Sequence, residues 1–188
     1  MRLNAYLRIF FGGVCGFASG VAVAFADRVF FVGLIFGVVL SAYFAGVQRR
    51  REPFLLIAFT AISIVAYAIA YASGYGLTFV FGEAGGGGEA ISRIAAFVAG
   101  YVGALIVLGG TVILFFTLDL RKQLFRNVAL WSLAGGILGI LGTMPYDSYG
   151  AGRADSRIHF PIWQAGLGFI LAGLVERYSA KTRGAEAR

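Results

Sequence analysis

The chain has 188 residues, of which 59% are hydrophobic and 13% are charged, and its mean hydropathy is +0.82. Soluble domains carry about 25% charged residues, so this composition excludes an ordinary soluble domain and predicts an integral membrane protein. The net charge is +7, from 16 Lys and Arg against 9 Asp and Glu. A positive charge can indicate a nucleic-acid partner, but its distribution along this chain, described below, favours membrane topology.

Six uncharged apolar runs follow one another along the chain. A helix needs about 20 apolar residues to cross the bilayer core, so each run is long enough for one span. We therefore predict an all-α fold, a polytopic membrane bundle of six transmembrane helices, within a single integral membrane domain, 1–188. The predicted spans are 7–26, 29–48, 54–74, 94–118, 128–144 and 159–175.

Glycines recur at a spacing of four residues in the first, second and fifth spans. Small residues at this spacing let helix backbones approach each other closely where lipid offers no hydrophobic drive. We predict that these glycines form packing faces within the bundle or a face for a partner protein. They are Gly12, Gly16, Gly20, Gly33, Gly37, Gly135 and Gly139.

The third uncharged run is too long for one upright helix. The segment Ser73-Gly74-Tyr75-Gly76 predicts a helix stop, which leaves 77–81 as an interfacial or re-entrant piece. The glycine-rich segment 82–89 predicts the most flexible loop, and the polar tail 178–188 is expected to fray.

Charge asymmetry indicates the orientation of the predicted spans. If both termini are cytoplasmic, the inner segments hold 12 of the 16 Lys and Arg residues. This is the positive-inside bias, and it predicts a membrane protein of bacterial inner-membrane type with both ends inside. The second and third inner segments contain cations that we expect to contact anionic lipid headgroups. They are Arg49, Arg50, Arg51, Arg121 and Lys122.

An arginine opens each even-numbered span, at Arg28, Arg93 and Arg157, with spacings of 65 and 64 residues. This pattern predicts three two-helix repeats, 1–52, 53–126 and 127–188, related by rotation about the membrane normal. The alternative is that any three hairpins place an arginine at the outer interface.

The sequence offers no constellation of residues for catalysis. Gly16-Phe17-Ala18-Ser19-Gly20 resembles the serine motif of rhomboid proteases, but that serine belongs in a later helix. The only His, His159, is predicted at the outer membrane edge, and the chain has a single Cys. One His and one Cys cannot build a bis-His haem site or a thiol-rich metal site. We therefore predict no enzyme activity, no cofactor and no metal.

Gln164 is the one amide well inside a predicted span, where it could line a polar path or hydrogen-bond a neighbouring helix. Ion-coupled transporters and pumps normally keep an Asp, Glu, Lys, Arg or His inside the bundle, and the sequence places none between the two membrane interfaces of the predicted spans. We expect a structural or accessory subunit of a larger membrane complex, in contact with membrane lipids and with other membrane subunits or a second copy, and not with nucleic acid. The alternative is a passive channel or uniporter for a small neutral solute.

Overall fold

A computed structural model of the chain describes residues 2–24, 29–46, 52–85, 88–116, 118–141 and 156–186. Within these residues the fold is all-α, with six helices and no strand. The helices are α1 (Arg2–Ala24), α2 (Val29–Gly46), α3 (Pro53–Gly85), α4 (Gly88–Phe115), α5 (Leu118–Leu141) and α6 (Ser156–Glu186).

Three of the helices are long and apolar enough to cross a membrane. The qualifying segments are Asn4–Val23 in α1, Pro53–Phe81 in α3 and Ala90–Phe115 in α4. Shorter apolar segments occur at Phe31–Gly46 in α2 and Asn127–Leu141 in α5. The prediction of an all-helical membrane protein is therefore confirmed at this coarse level.

The outer surface of the bundle is apolar. Large hydrophobic side chains point outward on several helices, including Phe10 on α1, Phe54 and Ile57 on α3 and Leu130 on α5. Phe54 is 76% exposed and Ile57 is 69% exposed. An exterior of this kind is stable only where the surrounding solvent is lipid, because water would make so much exposed apolar surface costly.

The helices close a ring in chain order, since each one contacts its neighbours along the chain and α1 also contacts α6. The contact between α1 and α6 is the most extensive in the described bundle. Apolar side chains fill the space between the helices, and Phe36, Leu108 and Leu167 are fully buried there. The first and last helices of the chain are thus direct neighbours.

Glycine permits three very close helix crossings, which alternate around the ring. Gly16 of α1 lies against the α6 backbone at Gln164, and Gly100 of α4 lies against the α5 backbone at Gly135. A Cβ atom on Gly33 of α2 would lie only 2.6 Å from the carbonyl oxygen of Ser63 in α3. The tight pairs are therefore α1–α6, α2–α3 and α4–α5. Each of them joins helices from two different predicted hairpins.

The predicted repeat rests on residues that are only partly described. Arg93 lies in α4, but Arg28 and the side chain of Arg157 lie outside the described residues. The equivalence of the three arginines therefore stays a prediction.

The predicted helix stop at 73–76 is wrong, because α3 continues without interruption to Gly85. Gly74 is buried against α4, where an added Cβ would lie 3.2 Å from Ala99 Cβ and 3.3 Å from the Ala95 carbonyl oxygen. The Ser73 hydroxyl donates to the Ile69 carbonyl at 2.8 Å, within the same helix. Glycine here permits helix contact instead of ending the helix.

Two other predicted irregular segments are also mostly helical. The helices α3 and α4 occupy all of 82–89 except residues 86 and 87, which lie outside the described residues. At the other end of the chain, α6 continues to Glu186, so the expectation of a frayed tail from 178 is wrong. Both errors arise because polar or glycine-rich composition in water-soluble proteins predicts loops, whereas a helix that leaves the bilayer can continue beyond it.

We predict that Gly16→Ala and Gly173→Ala shift stability in opposite directions. A methyl group at residue 16 would overlap the α6 backbone and should lower the free energy of unfolding by about 2 kcal/mol. Gly173 has no atom within 4 Å of an added Cβ, so alanine there should stabilise α6 by up to about 1 kcal/mol. Thermal unfolding in detergent measures both, and equal effects would contradict the crossing.

Candidate functional site

A polar cluster lies inside the bundle, centred on Gln164 of α6. The Gln164 side chain is fully buried between Ser19 of α1 and Tyr67 of α3. Its Oε1 atom is 2.5 Å from Ser19 Oγ, and its Nε2 atom is 2.7 Å from the Tyr67 hydroxyl oxygen. Ser19 Oγ is also 2.7 Å from the carbonyl oxygen of Gly16. The cluster therefore joins three helices that are distant in sequence.

Hydrogen counting decides which way the Gln164 amide points. Ser19 Oγ reaches two acceptors, the Gly16 carbonyl and Gln164 Oε1, but a hydroxyl has only one hydrogen to donate. Exchanging the amide oxygen and nitrogen gives each link one donor and one acceptor. Tyr67 then donates to Gln164, Gln164 donates to Ser19, and Ser19 donates to the Gly16 carbonyl. Such a directional chain is strengthened by mutual polarisation.

Trp163 precedes Gln164 and faces a different pair of helices. Its indole Nε1 donates to the Gly135 carbonyl of α5 at 3.1 Å. The ring lies over Gly103 of α4, where an added Cβ would be 3.2 Å from it. Trp163 also meets Tyr67 edge to face, with 5.2 Å between the ring centroids. Two consecutive residues of α6 thus connect it to α1, α3, α4 and α5.

The chemistry available to this cluster is neutral hydrogen bonding. The side chain bonded to Ser19 is the Gln164 amide, which is not basic enough to take the proton of a serine nucleophile, and the Tyr67 phenol bonds to Gln164 and not to Ser19. The side chain of His159 lies outside the described residues. Among the side chains that the structure describes, no three His, Cys, Asp or Glu residues come together in a group that could hold a metal ion.

The seven predicted packing glycines all lie against helices of this same chain. Gly12, Gly16 and Gly20 face α6, Gly33 and Gly37 face α3, and Gly135 and Gly139 face α4. Their nearest neighbours are atoms of Ala172, Gln164, Pro161, Ser63, Thr60, Ala104 and Ala96 respectively. A partner protein would therefore meet other surfaces of the bundle.

Arg121 has a structural partner that the sequence did not indicate. Its Nε atom donates to the Phe116 carbonyl at 2.8 Å, and its guanidinium also reaches the Ile113 carbonyl. Ile113 lies in the last turn of α4, and Phe116 directly follows that helix. Backbone carbonyls at the C-terminal end of a helix lack partners within the helix. Arg49–Arg51 and the side chain of Lys122 lie outside the described residues, so their contact with headgroups stays a prediction.

An ion pair joins the first and last helices of the chain. Arg8 of α1 lies 3.4 Å from Glu176 of α6, and the Tyr43 hydroxyl of α2 donates to the Arg8 carbonyl at 2.8 Å. The charge pattern predicts both residues on the same side of the membrane, but it does not predict their pairing, which depends on the contact between α1 and α6.

The chain matches no family model, and comparison with curated proteins and with solved structures finds no significant match.

We predict that Gln164→Leu and Tyr67→Phe are strongly non-additive. Both variants remove the hydrogen bond between Gln164 and Tyr67, and Gln164→Leu also removes the bond to Ser19. Tyr67→Phe should therefore lower the free energy of unfolding by about 1 kcal/mol and Gln164→Leu by about 2 kcal/mol, and the double variant by little more than Gln164→Leu alone. Equilibrium unfolding of the four proteins in detergent measures the coupling. Tyr71→Phe, on the exposed face of α3, is the matched control and should change stability little.

Proposed function

We propose that this chain is a non-enzymatic integral membrane protein, a structural or accessory subunit of a larger membrane complex. The observation that supports the proposal is that the polar side chains of this cluster bond to one another or to the protein backbone. Ser19, Gln164 and Tyr67 bond to one another in a closely packed core, and Trp163 bonds to the backbone. A catalyst or a pump needs a reactive or titratable group directed at a ligand, whereas a subunit needs a rigid shape.

The alternative of a passive channel or uniporter for a small neutral solute would require a route through the bundle. Gln164, the residue predicted to line such a path, has both ends of its amide bonded within the protein. A solute passing this point would have to replace the Ser19 and Tyr67 hydroxyls together. This arrangement supports the subunit over the conduit.

For the membrane placement we propose six spans with both termini cytoplasmic, in a bacterial inner membrane. The aromatic residues of α3 support the position of the outer boundary. Tyr71 follows Pro53 by 18 residues, which is about 27 Å of helix and close to the thickness of the bilayer core. Tyr71 and Tyr75 stack at 6.0 Å and both are exposed, as expected of side chains at a membrane interface.

Reporter fusions test the topology. A reporter at Arg188 should be active on the cytoplasmic side, and one at Gly86 should be active on the opposite side, because three spans separate the N-terminus from residue 86. Finding both reporters on one side would contradict the six-span arrangement.

Mass spectrometry of the gently solubilised protein tests the subunit role. We expect a partner polypeptide at fixed stoichiometry, which remains bound to Gln164→Leu, since this residue is buried and does not face a partner. Solute flux through proteoliposomes of the purified chain, with Gln164→Leu altering the flux, would instead establish the conduit.

A further inference from the structure

The hairpin formed by α3 and α4 projects beyond α5 and α6 at one end of the bundle. Ala70 of α3 and Gly103 of α4 meet beside the Trp163 ring, and an added Cβ on Gly103 would lie 3.2 Å from each of the other two side chains. From this level α3 continues to Gly85, about 22 Å further along its axis. The α4 helix returns from Gly88 over a similar distance.

The helices α5 and α6 end much closer to Trp163. The Gly135 carbonyl of α5 accepts the Trp163 indole hydrogen bond, and α5 ends at Leu141, about 9 Å further along. The α6 helix begins at Ser156, about 10 Å from Trp163 in the same direction. The ends of α3 and α4 therefore extend about 12 Å beyond the described ends of these two helices.

The projecting part, which we call the hairpin tip, consists of residues 77–81 of α3 and 90–94 of α4, and it exposes apolar side chains in several directions. Phe79, Val80 and Phe81 are consecutive, and each is more than half exposed. Successive residues of a helix point about 100° apart, so these three side chains point to different sides of α3. Ile94 of α4 is also exposed. Arg93 is half-buried near the end of the α4 apolar segment, where a long side chain can reach lipid phosphates.

The distribution of these side chains favours lipid as the surrounding medium. A partner protein or a second copy would cover one side of a helix, whereas lipid surrounds it. The outward face of α3 also leads to the tip without a break. Ile57, Val65, Tyr75 and Phe79 are exposed within one narrow arc of the helix, so the surface of the tip continues the surface that faces the membrane.

The apolar segment of α3 is longer than an ordinary bilayer core is thick. Pro53–Phe81 has 29 residues and is about 43 Å long, whereas Asn4–Val23 of α1 has 20 residues and is about 30 Å long, like the core itself. A typical tilt of about 20° shortens the α3 segment only to about 41 Å. Tyr71 and Tyr75 lie where the boundary of an ordinary bilayer would fall, and the apolar surface continues past them. A bilayer that covers the tip must therefore be thicker beside α3 than beside α1.

We propose that lipid surrounds the hairpin tip, that the bilayer thickens there, and that the protein therefore prefers phospholipids with long acyl chains. The preference is independent of the proposed subunit role, because it requires only the bundle and the surrounding membrane. It depends on acyl-chain length and not on the charge of the headgroup.

A fluorescent label in nanodiscs of dioleoylphosphatidylcholine locates the tip. Cys15, the only cysteine, is first replaced by alanine, and Phe79→Cys then carries an environment-sensitive dye. We expect strong quenching by lipids with a nitroxide on the acyl chain and little quenching by aqueous iodide. Phe10→Cys, exposed on the α1 segment, is the lipid-facing control, and Glu52→Cys, exposed directly before α3, is the control for water.

Two outcomes of the labelling would overturn the proposal. Iodide quenching at residue 79 as strong as that at residue 52 would place the tip in water. Protection of residue 79 from both quenchers would show that protein, and not lipid, covers it.

Thermal unfolding in nanodiscs tests the preference for chain length. We expect the Tm of the unaltered protein to be several degrees higher in dierucoylphosphatidylcholine, which has longer chains, than in dioleoylphosphatidylcholine. Replacing Phe79, Val80 and Phe81 together by serine shortens the apolar segment and should remove this difference. Phe10→Ser is the matched control, since it alters a lipid-facing side chain but leaves α3 unchanged, and it should keep the difference. A Tm of the unaltered protein that is not higher in the longer lipid, or a difference that persists in the triple variant, would contradict the proposal.

Discussion

Close approach of helix backbones at glycine is the constraint on which this bundle depends. Lipid tails are as apolar as leucine, so the helices gain little by hiding apolar side chains from the bilayer, and packing and hydrogen bonding must hold them together. At Gly16, Gly33 and Gly100 the backbone of one helix lies directly against the backbone of the next. A methyl group at any of these points would separate the helices and weaken every contact on both sides of the crossing.

The crossing between α1 and α6 also builds the polar cluster. Gly16 lies against the backbone of Gln164, and this proximity brings Ser19, less than one turn further along α1, to within 2.5 Å of the Gln164 side chain. Ser19 also bonds back to the Gly16 carbonyl, so one turn of α1 is tied to one residue of α6. Polar residues in a membrane protein are costly unless they are bonded, and here the close crossing supplies the bonding partners.

The sequence predicted the number and type of helices well because charge is excluded from apolar runs and concentrated between them. It predicted the local role of Gly74 wrongly, since glycine ends helices in water but permits contact between helices in lipid. Gln164 itself was identifiable from the sequence, as the one amide well inside a predicted span. Its partners were not, because Ser19 and Tyr67 lie 145 and 97 residues away, and no local pattern specifies which helices become neighbours.

The contact between α2 and α3 has two different surfaces. At the crossing, Gly33 and Gly37 bring the two backbones together, with Ser63 and Thr60 of α3 beside them. On the outer side, the small residues Ser41 and Ala61 leave an open groove with a mainly apolar lining. Larger side chains would be needed to fill the outer side of the contact between α2 and α3. Near the crossing, however, larger side chains would separate the two backbones. The same preference for small residues that permits the crossing therefore also leaves an apolar groove facing the membrane.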